Sequence, residues 1–130
     1  MSKCLLGVLL ARLGDADTTH VVQPPDTKML AKVALALIRA VPRPINWLHF
    51  PVPSNREDDA YFEPLARIIP EIAQTEVYLG LVHEHDLEGT VRRLQTAQRY
   101  ISKFGVATEC GLRRRTEKDL DSVLEIMGEL

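Results

Sequence analysis

This chain is poor in the features that narrow a function quickly. It has two cysteines, Cys4 and Cys110. Two thiols at no recognisable spacing make no disulfide framework, and they predict a reduced, cytoplasmic setting. There is no charge excess: 16 Lys and Arg against 18 Asp and Glu leave a formal charge of −2. That balance gives no electrostatic reason for a nucleic-acid partner. No apolar run is long enough to span a bilayer, so no membrane contact is expected. Residues 4–10 are apolar and follow Lys3, but the run is short. No small-x-small cleavage site follows it before Arg12, Asp15 and Asp17, so it is not read as a secretory signal. Internal repeats, low-complexity tracts and linkers are also missing. Arg113-Arg114-Arg115 is a local basic cluster, read as a solvated helix approach, with anion binding as the alternative.

What is present is an ordinary globular composition. The 130 residues are 45% hydrophobic and 26% charged, which suits a single domain. Apolar runs alternate with helical periodicity. Residues 5–13 read as a buried strand and 14–25 as a loop. Asp26 is placed to cap a helix starting near Thr27, with Met29, Leu30, Val33, Ala34, Leu37 and Ile38 on its apolar face. Pro42 and Pro44 stop that helix. Residues 45–50 form the second strand, ended by Pro51-Val52-Pro53 because proline has no donor for a central ladder.

Residues 54–59 are a charged loop, and 61–73 a short helical pattern interrupted by Pro64 and Pro70. Residues 77–82 form a third strand, apolar on both faces as a parallel sheet demands. A helix over 88–103 points Val91, Leu94, Ala97 and Ile101 inward, and 104–109 form the fourth strand. Thr116 and Asp119 resemble a capping box for a last helix burying Leu120, Val123, Leu124 and Met127. Strand–helix alternation of this kind predicts an α/β fold of parallel strand–helix units. Four such units are half of a (β/α)8 TIM-type barrel, so residues 1–130 read as one partial barrel domain.

Several segments together resemble a known family. They are His20-Val21-Val22-Gln23-Pro24-Pro25-Asp26-Thr27, Trp47-Leu48-His49-Phe50-Pro51-Val52-Pro53, Arg56-Glu57-Asp58-Asp59-Ala60-Tyr61-Phe62, Tyr78-Leu79-Gly80-Leu81-Val82-His83 and the run from Phe104 to Gly111. From Gly14 onward the chain resembles the C-terminal part of proteins related to cobalamin-independent methionine synthase. These belong to the uroporphyrinogen decarboxylase/methionine synthase-like superfamily of (β/α)8 barrels. The resemblance implies methyl transfer from a folate to a zinc-bound thiolate, with zinc lowering the thiol pKa. It implies a His-x-Cys pair, a Glu and a Cys before Gly-Leu as zinc ligands. Cys110-Gly111-Leu112 matches the last of these, whereas Leu10 and Arg12 align with the His-x-Cys pair and are not zinc ligands. Zinc is thus implied by the resemblance, with its ligand set incomplete. Relative to the family, the chain reads as truncated, beginning at about the fifth barrel strand.

In parallel α/β architectures functional groups gather at the C-terminal ends of strands. There the chain places His49, His83 (with His85 and Asp86 beyond it), Glu109 and Cys110. Glu109, His83 and His49 are the candidate catalytic residues, as acid–base groups, and Cys110 is the candidate nucleophile or metal ligand. Plainer readings stand beside these. His49 reads also as a hydrogen-bonded core histidine, His83 and Asp86 as helix caps, His85 as exposed and Cys110 as an inert buried thiol. His20 reads as a surface histidine or an anion contact, Trp47 as core packing, and Arg56, Asp58 and Asp59 as a solvated loop or substrate contacts.

Two function classes follow. One is a methionine synthase-like enzyme acting on a small-molecule substrate, a methyl or one-carbon transferase or a lyase-type tailoring enzyme of a biosynthetic pathway. The other is a truncated, non-catalytic half-barrel acting as a partner or remnant. Half a barrel leaves sheet edges and an apolar face, which predicts a homodimer or pairing with another chain.

Overall fold

The computed structural model describes residues 7–9, 25–109 and 112–130. Four strands, β1 (Gly7–Leu9), β2 (Trp47–Pro51), β3 (Glu76–Val82) and β4 (Gly105–Thr108), alternate with four helices, α1 (Lys28–Ala40), α2 (Asp59–Ala66), α3 (Leu87–Tyr100) and α4 (Glu117–Glu129). Short 3-10 turns at Ile69–Ile72 and Leu112–Arg114 lead into β3 and α4. All strand pairings are parallel, and the spatial order β1-β2-β3-β4 is the chain order. β2, β3 and β4 make up most of this small sheet, with β1 adding three residues at its edge.

The main core lies on one face of the sheet. Leu48 and Phe50 of β2 and Val77, Leu79 and Leu81 of β3 pack with Leu30 and Ala34 of α1, Phe62 and Leu65 of α2 and Ala97 of α3. A smaller cluster joins Val82 and Val106 to Val123 and Ile126 of α4. Strand side chains alternate between faces, so Trp47, His49, Tyr78 and Gly80 belong to the face turned away from this core. The expected burial of both faces of the strand at 77–82 holds from Leu79 to Val82, all buried, while Tyr78 is half-buried. Trp47, read as core packing, is half-buried and lies outside the main cluster.

Two helices present a different stripe from the one their periodicity predicts. α1 buries Leu30, Ala31 and Ala34, whereas Met29 and Val33 are 62% and 39% exposed. α4 buries Val123 and Ile126, and Leu124 is 68% exposed. Both helices carry apolar residues around more than one face, and the tertiary contact selects which ones face inward. Pro51 falls inside β2 rather than after it. Among the described residues the pairing of β2 with β1 ends at His49, two residues earlier, while Pro51 itself still pairs with Gly80 of β3.

The helix starts follow local chemistry. Asp26 Oδ1 accepts from the Lys28 N–H at 2.8 Å, although Thr27 is the residue in the N-cap position. The Thr27 hydroxyl instead donates to Tyr61 O (2.8 Å), and the buried Tyr61 hydroxyl donates to Pro51 O (2.9 Å), tying α1 and α2 to the end of β2. Asp86 caps α3 through Gly89 N–H (3.0 Å). The capping box of Thr116 and Asp119 opens α4 as expected.

α3 holds the most unusual side chain of the molecule. Arg93 is 0% exposed. Its Nε donates to Leu81 O (2.9 Å), one terminal nitrogen to Ser54 O (2.8 Å), and the other to Asp86 Oδ2 (2.9 Å) and Thr90 Oγ1 (3.1 Å). A buried cation is stable only when paired and hydrogen-bonded in this way. Arg93→Met should lower the unfolding free energy by about 3–5 kcal/mol, since it strands buried acceptors and one carboxylate. Arg93→Lys should restore little, because one ammonium cannot reach acceptors on three sides. Urea denaturation of the three proteins checks this; a methionine variant as stable as the parent would contradict it.

Candidate functional site

The C-terminal ends of β2, β3 and β4 form one rim, and three of the four predicted site residues meet there. His83 follows the last residue of β3, and Glu109 follows the last residue of β4. His83 Nδ1 lies 3.9 Å from Glu109 Oε2, with side chains only 9% and 12% exposed. On the other side of its ring, His83 Nε2 lies 2.7 Å from Val52 O. A carbonyl oxygen only accepts, so Nε2 carries the proton and a neutral His83 offers the lone pair of Nδ1 to the rim.

His49 is the middle residue of β2, and its Nε2 donates to Thr108 O at 2.9 Å. The imidazole therefore crosses β3 to reach β4. Gly80 makes this crossing possible. A Cβ there would fall 2.9 Å from Thr108 O, 3.1 Å from His49 Nε2 and 3.3 Å from the Glu109 Cα. Next to Gly80 the β3–β4 register slips: Leu79 pairs with Val106, but Val82 pairs with Thr108. Three steps on β3 match two on β4, which is a bulge, a device that bends a strand and re-aims its side chains. His49 is 7% exposed, and its Nδ1 is buried with no hydrogen-bond partner among the described residues.

Electrostatics keep both rings neutral. Burial pushes the His49 pKa down, against the raising effects of its bond to Thr108 and of the Glu109 charge. Burial likewise lowers that of His83, and the Arg93 charge adds to the effect, while the Val52 bond and Glu109 oppose it. Neutral imidazoles beside a carboxylate make a rim of hydrogen-bond acceptors, suited to taking up a proton or binding a donor group.

The remaining candidates have settled local roles. Asp86 caps α3 and pairs with Arg93, so the capping reading holds for it, whereas His83 makes no cap and instead ties β3 to the end of β2. His85 is exposed and sits at φ 57°, the left-handed region unusual for a non-glycine residue. Its N–H donates to Ser122 Oγ (2.8 Å) and its ring pairs with Asp119 (2.8 Å), which docks the turn after β3 onto α4. The Asp119 carboxyl is held down at about 2 by its bonds to Thr116 and His85.

Residues 54–59 are clamped rather than simply solvated. Thr96 Oγ1 donates to Glu57 O (2.8 Å), Arg92 pairs with Glu57 (2.8 Å) and Arg99 with Asp59 (2.6 Å). Arg56 makes a two-pronged pair with Asp58, donates to Pro25 O and stacks over the Tyr61 ring, 4.9 Å from its centroid. In the basic cluster, Arg113 and Arg114 are exposed and Arg115 pairs with Glu84. Cys110, His20, Leu10 and Arg12 lie outside the described residues.

Among the described residues no group of three or more His, Cys, Asp or Glu side chains is arranged to hold a metal ion, so these residues do not by themselves fit a zinc centre. Among the described residues, too, no helix is long and apolar enough to cross a membrane. In comparison with known proteins, no family model matches the chain, and neither a curated protein nor a solved structure matches it.

Sequence reading missed two residues that build this rim. Arg93 was legible only as a spacing: it lies seven residues, two helical turns, after the capping Asp86. Gly80 carried the general signal of a glycine inside an apolar strand, which marks a bulge or a close approach.

The two histidines predict a pH dependence of stability. In the unfolded chain both take up protons near the ordinary value of 6.5, whereas in the native state their lowered values keep them neutral. Their contribution is full above pH 6.5 and is lost as pH falls toward the native values. The melting temperature should therefore drop between pH 7 and pH 5, and the double variant His49→Gln/His83→Gln should show a shallower drop. Equal slopes for the two proteins would refute this.

Proposed function

We propose that this chain is a methionine synthase-like protein acting on a small molecule, a one-carbon transferase or lyase-type enzyme built on part of a (β/α)8 barrel. The observation that carries the reading is the approach of His83 Nδ1 to Glu109 Oε2, 3.9 Å apart at the C-terminal rim of a parallel sheet. Support for the partial barrel comes from the sheet order. Four neighbouring parallel strands follow in chain order, with the packed core on one face. That is how consecutive units of a barrel are laid out, and the opposite face would be its interior.

In this reading His83 is the general base. Its Nε2–H is held by Val52 O, so ring orientation and tautomer are fixed before substrate arrives. Nδ1 takes a proton from the substrate, and the Glu109 carboxylate across the gap stabilises the imidazolium that results. His49 is a positioning residue: its bond to Thr108 O anchors the residue before Glu109. The family's zinc chemistry rests on Cys110 and on residues outside the described ones, and none of these steps requires it.

A second reading is favoured by a separate observation. β4 ends the described sheet, and all four of its residues are only partly buried. An edge of this kind accepts another strand, so the chain would act as a half that pairs with a second copy or another chain.

Two measurements test these readings. Wild type, His83→Gln and Glu109→Gln are incubated in D2O with a metabolite extract supplemented with homocysteine and methylfolate, and products are read by mass spectrometry. Wild type should place deuterium on, or convert, at least one compound. Each variant should lose about 10²-fold or more of that rate. No exchange and no conversion by wild type would overturn the enzyme reading. Sedimentation at micromolar concentration tests the second: a dimer is expected, and a monodisperse monomer that shows exchange on its own would leave the first reading alone.

A further inference from the structure

The exposed apolar surface of the helices is concentrated on the two outermost of the four. Among the described residues, Met29 and Val33 of α1 and Leu124 and Met127 of α4 are large and exposed, and the inner helices add only Leu87, the first residue of α3. These side chains belong to stripes. Met29, Val33, Ala36 and Ala40, all exposed, follow at helical spacing on one flank of α1. Ala31 and Leu35 line the groove shared with α2, so the stripe lies on the flank turned away from α2. Leu120, Leu124 and Met127 form a matching stripe on α4. Ser122, on the other flank, accepts from the His85 N–H in the turn that leads into α3, so this stripe is turned away from α3. The helices follow strands that all run one way. One stripe therefore faces back along the row of helices and the other faces forward, the two sides that a continuing row would bring together.

We infer that the two stripes are halves of one interface, in which α4 packs against α1 of a second copy of this chain. Charge selects that pairing. α1 carries Lys28, Lys32 and Arg39 and no acidic residue, whereas α4 carries Glu117, Asp119, Asp121, Glu125 and Glu129 against Lys118 alone. Packing α1 on α1, or α4 on α4, sets like charges together; packing α1 on α4 sets opposite charges together. The order along the helices agrees. Both have 13 residues, with Lys28 and Lys32 at the first and fifth positions of α1 and Glu117 and Asp121 at the same positions of α4. In a parallel contact Lys32 and Asp121, each on the solvent side of its stripe, stand level with one another. A two-fold axis along the strands keeps all the helices parallel and makes the contact twice, α4 on the partner's α1 and α1 on the partner's α4. One operation thus covers both stripes of both copies, whereas an unrelated chain must bring two matching helices. This inference rests on the reading of the chain as a half that pairs, and it names the partner and the surface.

Sedimentation of the full chain at micromolar concentration provides the test. Wild type should be a dimer. Met29→Glu and Leu124→Glu change exposed positions, so each should keep the wild-type circular dichroism while weakening the dimer by about tenfold or more. The control Leu87→Glu, exposed but off both stripes, should leave it intact. An equimolar mixture of the Met29→Glu and Leu124→Glu chains should recover part of the dimer, because one of its two contacts is then wild type on both sides. Contacts of α1 with α1 and α4 with α4 allow no such recovery. Lys32→Glu and Asp121→Lys should each weaken association by about threefold, and a chain carrying both should regain it. Should either glutamate variant fail to fold, Met29→Ser and Leu124→Ser take their places. No recovery in the mixture, a charge-swapped chain no better than its single variants, or an assembly that grows beyond a dimer would each overturn the inference. A dimer that both stripe variants leave intact would also overturn it, while leaving pairing along β4 standing. A wild-type monomer would overturn both.

Discussion

A guanidinium with no solvent exposure holds the functional end of this molecule together. Arg93 reaches from α3 to the carbonyl of Leu81 near the end of β3, to the carbonyl of Ser54 in the loop after β2, and to the capping carboxylate of its own helix. Leu81 lies beyond the last β2–β3 pairing, Pro51 with Gly80, and within the register slip toward β4. Its carbonyl is therefore placed where the regular ladder gives out, and the guanidinium supplies the donor. Removing a charge from water carries a cost of several kcal/mol, which is offset only when several acceptors are fixed in place. That requirement works in both directions. The acceptors satisfy the cation, and the cation fixes two loops and a helix start relative to the sheet.

The rim inherits its order from this network. The turn that begins with His83 runs from the strand that Arg93 holds to the aspartate that Arg93 pairs with. On the neighbouring strand ends, each histidine donates to a carbonyl of a different strand or strand end: His83 to Val52, His49 to Thr108. The two bonds knit β2 to β3 and β2 to β4 across the end of the sheet. The bulge and the bare Cα of Gly80 leave room for the longer of the two crossings. Structural and chemical roles are thus combined in the same rings. The nitrogen that holds the scaffold is what fixes the other nitrogen as a lone pair.

Legibility in the sequence varied with the range of the interactions. The capping of α3 by Asp86 and of α4 by Thr116 and Asp119 could be read because those partners lie three residues apart. The strand at 77–82 was clear because an apolar run between turn residues has few alternatives. The stripes of α1 and α4 were less determined. Met29, Val33, Leu124 and Met127 are as apolar as the residues that do pack, and only the position of the sheet separates them. His49, His83 and Glu109 were nameable because each lies at or near the end of an apolar strand. Which of them touch, and through which atoms, was not.

The sequence by itself determined the order of elements, their parallel arrangement and most helix starts, since periodicity, proline placement and caps act over a few residues. Only the tertiary structure decided that Arg93 is buried, that Gly80 is crossed by an imidazole, and that both histidines present Nδ1 rather than Nε2. The reason is one of range. His83 finds its carbonyl 31 residues away and His49 finds its own 59 residues away. No local pattern encodes a partner at that distance. The tautomer of each ring, and with it the polarity of the rim, is fixed only when the strand ends come together.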